Sequence, residues 1–193
     1  MVATKAYAAI RPIMFGLACV LMLGVGLKIT IGLAANGTSP VQQTATPIKI
    51  GPSGLPIPRF VSLKADRVNV RRGPSKNYAI EWVYARQGLP VEIITESDNW
   101  RQVRDSDGDE GWVFHSLLSG RRTALVAPWM KETTLLMHEA AKSTANVSAE
   151  VEPGVLGRIE RCDGSWCLMA IGEVQGWMPQ RTLWGAYPGE VIE

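Results

Sequence analysis

Apolar and polar residues are arranged in two contrasting ways along this chain. Near the N-terminus, an uninterrupted apolar run covers Pro12–Leu27 and resumes after Lys28 as far as Ala35. From Arg59 onward, short segments alternate between apolar and polar residues and are separated by turn residues such as Gly73-Pro74. A period of two is typical of β-strands with one buried face, and no long helical period occurs after residue 35. The pattern therefore predicts an all-β body behind an apolar N-terminal helix.

The N-terminal run is typical of a targeting segment. Lys5 and Arg11 precede it, and residues 1–35 contain no acidic residue. A basic head followed by an apolar stretch describes a secretory signal peptide, whereas Ile13–Ala35 is also long enough for one retained membrane span. Both interpretations export the rest of the chain, because the basic residues stay in the cytoplasm. We therefore expect a periplasmic protein, or one anchored in the inner membrane with its C-terminal domains in the periplasm.

A linker follows this segment. Asn36–Pro58 contains five prolines and three glycines, no carboxylate and no apolar periodicity. Such a composition is typical of an extended, disordered tether.

The rest of the chain is an internal repeat. Gly88–Gly120 aligns with Gly154–Gly185, and Trp100 then falls in register with Trp166. Each copy contains about five short strands with turns between them, which predicts a small antiparallel barrel. The predicted fold is therefore all-β, with two small barrels in tandem. The predicted parts are a signal peptide or membrane anchor at 1–35, a Pro/Gly-rich linker at 36–58, a first barrel at 59–122 and a second, divergent barrel at 123–193.

The motifs of the first copy closely resemble the bacterial SH3-like domain family. They are Asn69–Ser75, Gly88–Glu92, Trp100–Arg104 and Gly111–Val113. The second copy resembles the family from Gly154 onward, whereas its front half departs from the pattern. The resemblance implies a non-catalytic binding module of the bacterial cell envelope. Because related domains accompany cell-wall hydrolases, it also implies peptidoglycan as the ligand; an envelope protein is the alternative partner and an enzyme the third possibility.

The charge distribution argues against nucleic acid as a partner. Lys5, Arg11 and Lys28 account for three of the 20 basic residues, so residues 36–193 hold 17 bases against 18 acids. A nearly neutral body lacks the positive charge that binding to a phosphate backbone requires. Contact with a membrane is expected only through residues 1–35.

The sequence predicts no catalytic residue, no metal site and no cofactor. His115 and His138 occupy unrelated positions in the two copies, and no nucleophile motif surrounds either of them. Asp105–Glu110 resembles a calcium loop in composition, but six residues are too few for an EF-hand loop. We interpret that segment as a solvated hairpin turn built around Asp107-Gly108.

The two exported cysteines predict a disulfide. If Gly164-Ser165 forms a two-residue hairpin turn, Cys162 faces Cys167 across the strands at a separation that suits an S–S bond. In the first copy, Glu96 and Arg101 occupy the equivalent positions as an opposite-charge pair. Export favours oxidation, while two free thiols remain the alternative.

Aromatic and basic residues make the first copy the better candidate for ligand binding. Relative to Tyr78, Trp82 and Tyr84, an offset of 66 finds the non-aromatic residues Thr144, Ser148 and Glu150 in the second copy. Repeated tryptophans also serve as core residues, and a basic edge is often simply solvated. The candidate ligand-binding residues are Tyr78, Trp82, Tyr84, Trp100, Trp112, Phe114, Arg71 and Arg72.

Overall fold

The computed structural model describes residues 3–5 and 49–193 of the chain. The predicted apolar helix and most of the linker, residues 6–48, lie outside this part and stay predictions. Within the described residues, no helix is long and apolar enough to cross a membrane. The same residues form β-strands and two short 3₁₀ turns, which confirms the all-β prediction.

The strands follow one another in the same order in both copies. Those up to the end of the first copy are β1 (Ala3–Lys5), β2 (Lys49–Ile50), β3 (Pro56–Ile57), β4 (Arg59–Leu63), β5 (Val68–Arg71), β6 (Ile80–Tyr84), β7 (Pro90–Ser97), β8 (Trp100–Arg104), β9 (Glu110–Phe114) and β10 (Leu118–Ser119). Those of the second copy are β11 (Thr123–Val126), β12 (Leu135–His138), β13 (Val147–Val151), β14 (Leu156–Asp163), β15 (Trp166–Ile171), β16 (Val174–Pro179), β17 (Leu183–Trp184) and β18 (Val191–Ile192). The 3₁₀ turns are His115–Leu117 and Gln180–Thr182.

The last part of the predicted linker, residues 49–57, contains two short strands. Strands β2 and β3 form a short antiparallel hairpin, with Lys49 opposite Ile57. The Ile57 side chain is buried in the core of the first barrel. The backbone N–H of Ser53 donates a hydrogen bond to Glu96 Oε2 at 2.9 Å. The buried Ile57 side chain and the Ser53–Glu96 hydrogen bond fix residues 49–57 against the barrel. Neither contact produces an alternating apolar pattern in the sequence, so the pattern could not predict them.

The first barrel is an antiparallel sheet with the strand order β6-β5-β9-β8-β7-β4-β10. Strand β1 adds to its β6 edge in parallel, with Ala3 opposite Trp82. On β5, Val68 and Val70 are fully buried, while Asn69 is exposed and Arg71 is half-buried. This alternation is the one that a strand with a single buried face requires.

The second barrel keeps every strand from β4 to β10 of the first, in the order β13-β12-β16-β15-β14-β11-β17. Its divergent front half, strands β12 and β13, still forms the same antiparallel pair as β5 and β6. Eight residues connect β11 to β12, against four between β4 and β5. The longer connection explains why this half of the repeat is difficult to align from sequence.

The register of the front half corrects one sequence alignment. Val68 lies opposite Tyr84 in the first barrel, and Leu135 lies opposite Val151 in the second. The offset for these strands is therefore 67 rather than 66. The structural equivalents of Tyr78, Trp82 and Tyr84 are Ala145, Ala149 and Val151, which are also not aromatic.

The two barrels pack directly against each other. Leu125 of β11 is buried in the core of the first barrel, and Leu156 of β14 packs against that core. The Thr123 hydroxyl donates a hydrogen bond to the Gly88 carbonyl at 2.6 Å. Beside these contacts, the Phe60 ring lies 5.1 Å from Trp184 and 4.7 Å from Tyr187, measured between ring centroids. The barrels thus share apolar contacts as well as a chain connection.

Candidate ligand-binding groove

A groove of about 240 Å³ opens on the outer face of the first barrel. It lies where β5, β8 and β9 run side by side and where the loop after β5 folds back over them. Its lining combines two cations, an amide, a hydroxyl and three apolar side chains: Asn69, Arg71, Lys76, Trp100, Phe114, Ser116 and Leu117.

Backbone contacts hold the Arg71 side chain in a defined position. Its Nη1 donates hydrogen bonds to the carbonyl oxygens of Lys76, at 3.1 Å, and Tyr78, at 2.6 Å. Both carbonyls belong to the loop between β5 and β6. Arg71 therefore ties this loop to the sheet and keeps its guanidinium at the groove.

Two aromatic rings form the apolar wall. Trp100 begins β8 and is Cα partner of Phe114 at the end of β9. Their ring centroids lie 5.4 Å apart at an interplanar angle of 79°, an edge-to-face arrangement. Trp100 is 8% exposed, whereas Phe114 is half-buried. The wall therefore combines a buried residue with a partly exposed one.

Several basic residues of the first barrel are paired with a carboxylate, unlike the two cations that line the groove. Arg72 pairs with Glu81, and Arg104 pairs with Glu92. Arg71 and Lys76 make no ion pair with any of the described residues. Two positive charges without a carboxylate, beside an apolar wall, are complementary to a ligand that carries both an anionic and an apolar group.

Three of the eight predicted residues meet in the groove: Arg71, Trp100 and Phe114. The sequence grouped Lys76 with the basic edge but did not single it out as a site residue. Asn69, Ser116 and Leu117 were missed as well. The alternation of β5 could have indicated Asn69, because that residue shares the outer face of the strand with Arg71.

Two predicted residues belong instead to the interior. Tyr84 is 1% exposed, and its hydroxyl donates a hydrogen bond to Asp105 Oδ2 at 3.1 Å. Trp82 packs against the core, with its ring centroid 6.1 Å from that of Tyr84. The structure therefore does not bring Trp82 and Tyr84 to the groove.

The other three predicted residues lie around the groove without lining it. Tyr78 is 47% exposed, and its ring packs over Gly73 in the loop that Arg71 ties down. Trp112 is half-buried on β9, where it is Cα partner of Arg71. Arg72 is exposed and engaged with Glu81 at 3.1 Å.

The acidic segment after β8 is a turn of five residues, 105–109, that connects β8 to β9. Asp105 is 2% exposed, and its Oδ1 accepts hydrogen bonds from the backbone N–H groups of Asp107 and Asp109, both at 3.0 Å. The buried carboxylate thus satisfies the backbone of its own turn. In the described part of the chain, no group of three or more His, Cys, Asp or Glu residues is arranged to hold a metal ion.

The second barrel has a larger groove of about 540 Å³ between the end of β14 and β18. The Arg161 guanidinium already lies over the Trp177 ring there, 5.0 Å from its centroid. Glu160, Asp163 and Glu193 also line this groove. The cation of this groove is therefore already engaged with the aromatic ring, and carboxylates lie beside both. This groove is less suited to an anionic ligand than the groove of the first barrel.

The predicted disulfide is confirmed. Cys162 and Cys167 are cross-strand partners on β14 and β15, with Cα atoms 4.1 Å apart, and they form an S–S bond. Gly164, in the two-residue turn between these strands, has a φ of +94°, which a residue with a side chain rarely adopts. The turn therefore sets the register that brings the two cysteines together.

The equivalent position in the first barrel holds a buried carboxylate. Arg59 Nη2 lies 2.7 Å and Arg101 Nε 3.1 Å from Glu96 Oε1, and the Glu96 side chain is 1% exposed. Burial alone would raise the pKa of Glu96. Hydrogen bonds from the Ser53 backbone, from Arg59 and from the Ser53 hydroxyl, together with the charge of Arg101, instead lower the pKa to about 2. The predicted Glu96–Arg101 pair therefore also fastens the hairpin of residues 49–57.

The two histidines occupy different environments. His138 is 6% exposed, its Nδ1 lies 3.0 Å from the Ala145 carbonyl oxygen, and its ring meets Trp166 edge-on. His115 is exposed and lies against Phe114 at 5.0 Å between ring centroids. The two cysteines of the described part are both consumed by the disulfide.

The fold and the family motifs converge on one assignment. The model of the bacterial SH3 domain matches residues 64–120 and again residues 131–185, more than half of the chain. The chain belongs to the bacterial SH3 domain family. Each matched region lies within one barrel and begins after that barrel's first strand, and the second region includes β12 and β13.

One curated relative is a protein of Bacillus subtilis (strain 168) named "Putative N-acetylmuramoyl-L-alanine amidase YrvJ". It is 23% identical over 123 residues, which are 60% of this chain and 24% of the relative. The chain thus spans about a quarter of that protein's length.

Among solved structures, NlpC2 and NlpC1 from Trichomonas vaginalis are similar over 66% and 70% of this chain and 48% of theirs. Their sequence identities are 11% and 12%, and the TM-score is 0.30 for each.

Proposed function

We propose that this protein is an exported, non-catalytic module that binds peptidoglycan through the groove of its first barrel. Membership of the bacterial SH3 domain family supports a binding role. The name of the Bacillus relative supports the ligand, because N-acetylmuramoyl-L-alanine is the junction between the glycan and the stem peptide of peptidoglycan.

The proposal rests mainly on one observation: two cations without a carboxylate partner lie beside an aromatic wall. Arg71 and Lys76 lack carboxylate partners among the described residues, and the Trp100–Phe114 wall lies beside them. Peptidoglycan offers both matching groups, since its stem peptides carry carboxylates and small apolar side chains. Aromatic side chains that are partly exposed beside unpaired cations are typical anchors of binding surfaces.

The second barrel contributes orientation in this account. Its apolar contacts with the first barrel, through Leu125 and Trp184, hold the two units together. A ligand bound by the first barrel is thereby held at a fixed position relative to the C-terminal surface. A role in orientation rather than binding agrees with the contact between Arg161 and Trp177, which already occupies the cation of the second groove.

The proposed location beyond the inner membrane has a structural consequence at β6. Ala3–Lys5 pairs with Trp82–Tyr84 in parallel. In a molecule whose residues 13–35 span a membrane, Lys5 stays on the cytoplasmic side and cannot reach an exported barrel. Export therefore leaves the β6 edge without this strand.

A reporter fusion tests export. Alkaline phosphatase fused after Glu193 should be active; an inactive fusion, with an active cytoplasmic reporter at the same position, would contradict export.

Co-sedimentation with purified sacculi tests the binding itself. The full chain in detergent is mixed with sacculi that have been stripped of protein by protease and boiling detergent. Saturable sedimentation is the expected result. Retention only on sacculi that still carry their proteins would instead favour the alternative, an envelope protein as the partner. Release of soluble wall fragments over time would contradict the non-catalytic role.

A further inference from the structure

We propose that the groove of the first barrel recognises the free C-terminal carboxylate of a peptide, with the side chain of that last residue against the Trp100–Phe114 wall. This inference rests on the proposed function and specifies which part of the wall polymer is bound. It predicts selectivity for stem peptides with a free end over glycan and over peptides whose end is blocked.

The cations are placed to hold a carboxylate. Nη1 of Arg71 is committed to two backbone carbonyls, whereas its Nη2 and Nε have no hydrogen-bond partner among the described residues. A guanidinium that is already fixed can offer a fork of two N–H groups to a carboxylate at little further cost in side-chain entropy. Lys76 is exposed on the loop that Arg71 ties down and supplies a second, mobile charge at the same groove.

The rest of the lining fits the last residue of a peptide. The side-chain amide of exposed Asn69 can both donate to and accept from a peptide bond. Phe114 and Leu117 offer a small apolar surface next to it. At about 240 Å³, the cavity is smaller than the roughly 300–1,000 Å³ typical of sites that enclose a whole small molecule. A groove of this size takes one end of a chain rather than a long stretch of it.

The two cations that line the groove suit one anionic group. Arg72, the first residue after β5, pairs with Glu81 and does not line the groove. A polyanion such as a chain of phosphodiesters would be expected to meet a track of unpaired cations. Arg71 and Lys76 are the two cations that line the groove, and they lie beside an apolar wall, which matches a carboxylate at the end of a peptide.

A pair of matched peptides tests the proposal. The probes are diacetyl-L-Lys-D-Ala-D-Ala and its C-terminal amide, titrated into the full chain in detergent with binding followed by calorimetry. We expect the acid to bind at least about tenfold more tightly than the amide, because a charge-assisted bidentate pair is lost. Inorganic phosphate at the same concentration should not displace the acid. Equal affinities for acid and amide, or displacement by phosphate, would overturn the proposal.

Variants locate the effect. Lys76→Gln should weaken binding of the acid several-fold and leave binding of the amide unchanged. Arg71→Gln should weaken it more, while Arg72→Gln, the matched control at the next position in the chain, should bind as the wild type does. The Lys76 side chain makes no hydrogen bond or ion pair with another described residue, and Arg71 contacts only its backbone carbonyl, which the substitution keeps, so loss of folding is not expected to account for its effect. Unchanged affinity of Lys76→Gln and Arg71→Gln would overturn the assignment of the site.

The experiments distinguish a failure of carboxylate recognition from a failure of wall binding. If the full chain sediments with stripped sacculi but does not distinguish acid from amide, carboxylate recognition is wrong and wall binding stands. If the full chain binds neither sacculi nor peptide, both are wrong.

Discussion

The Tyr187 hydroxyl donates a hydrogen bond of 2.8 Å to Glu92 Oε1, across the contact between the barrels and over 95 residues of sequence. Glu92 is 7% exposed, and its other oxygen accepts from Arg104 Nε at 3.0 Å. Burial, followed by the hydrogen bond to Glu92, raises the pKa of Tyr187, so the phenol stays protonated as the donor. This polar link closes one side of an apolar contact that includes Phe60 and Trp184.

Trp184→Ala should weaken the contact between the barrels. The substitution removes the edge-to-face contact with Phe60 and the hydrogen bond from Nε1 to the Pro90 carbonyl at 3.3 Å. We expect a loss of about 2 kcal/mol in the free energy of unfolding, measured by denaturant titration. Trp129→Ala is the control, since Trp129 is 57% exposed, and it should change stability by less than about 0.5 kcal/mol. Equal effects of the two substitutions would mean that the barrels do not stabilise each other.

Gly185 and Gly120 occupy equivalent positions at the ends of the two copies but should respond differently to substitution. A Cβ on Gly185 would collide with the Thr123 carbonyl oxygen and with Ala124, and its φ is +138°. A Cβ on Gly120 would meet no atom within 4 Å. Gly185→Ala should therefore lower the free energy of unfolding by about 2 kcal/mol or more, which a lower thermal midpoint would show. Gly120→Ala should change the free energy of unfolding by less than about 0.5 kcal/mol. The same midpoint for both variants would contradict the described packing of β17 on β11.

The disulfide should be measurable in the native protein without reduction. Mass spectrometry should find Cys162 and Cys167 resistant to alkylation and lighter by two hydrogens. Replacing both with Ser should cost about 2 kcal/mol, the chain-entropy value for so short a loop. Peptide binding should not change, because the groove lies in the other barrel. Complete alkylation of both thiols in oxidised native protein would refute the bond and the hairpin register together.

Glu96 should make stability depend on acid pH. Its folded-state pKa of about 2 lies below its ordinary value of 4.5, so the ionised form is favoured in the folded protein. The resulting stabilisation is complete above about pH 4.5 and is lost as the pH falls towards 2. The difference in unfolding free energy between wild type and Glu96→Gln should therefore shrink over that interval.

Glu81→Gln provides the matched control for this titration. Its partner Arg72 is 73% exposed, so their pair should contribute little at any pH. A difference between wild type and Glu96→Gln that stays constant from pH 5 to pH 2 would mean that the buried carboxylate does not titrate as described.

Local patterns in the sequence were enough to predict the strands and the disulfide register. The Gly164-Ser165 turn lies between its two strands, so the cysteine pairing is a contact of five residues in sequence. Contacts across longer separations were not predicted. The bond from Ser53 to Glu96 spans 43 residues and the bond from Tyr187 to Glu92 spans 95, and neither changes the local alternation of apolar and polar residues.

The candidate site was predicted in part for a similar reason. Alternation along β6 places Trp82 and Tyr84 on one face but does not say whether that face is inside. Tyr84 can be buried because Asp105, 21 residues away, accepts its hydroxyl hydrogen bond. Arg71 was identified from the sequence. That it has no ion-pair partner among the described residues depends on where the acidic residues lie in three dimensions, which the sequence pattern does not give.

The most direct test of the account is site-specific crosslinking of the full chain to stripped sacculi. A photoreactive phenylalanine analogue replaces Phe114 in the groove of the first barrel or Trp177 in the groove of the second. The account predicts wall fragments attached at position 114 only, with loss of the crosslink when Arg71→Gln is added and no loss when Arg72→Gln is added. Crosslinking at position 177 and not at position 114 would contradict the central claim that the first barrel binds the wall.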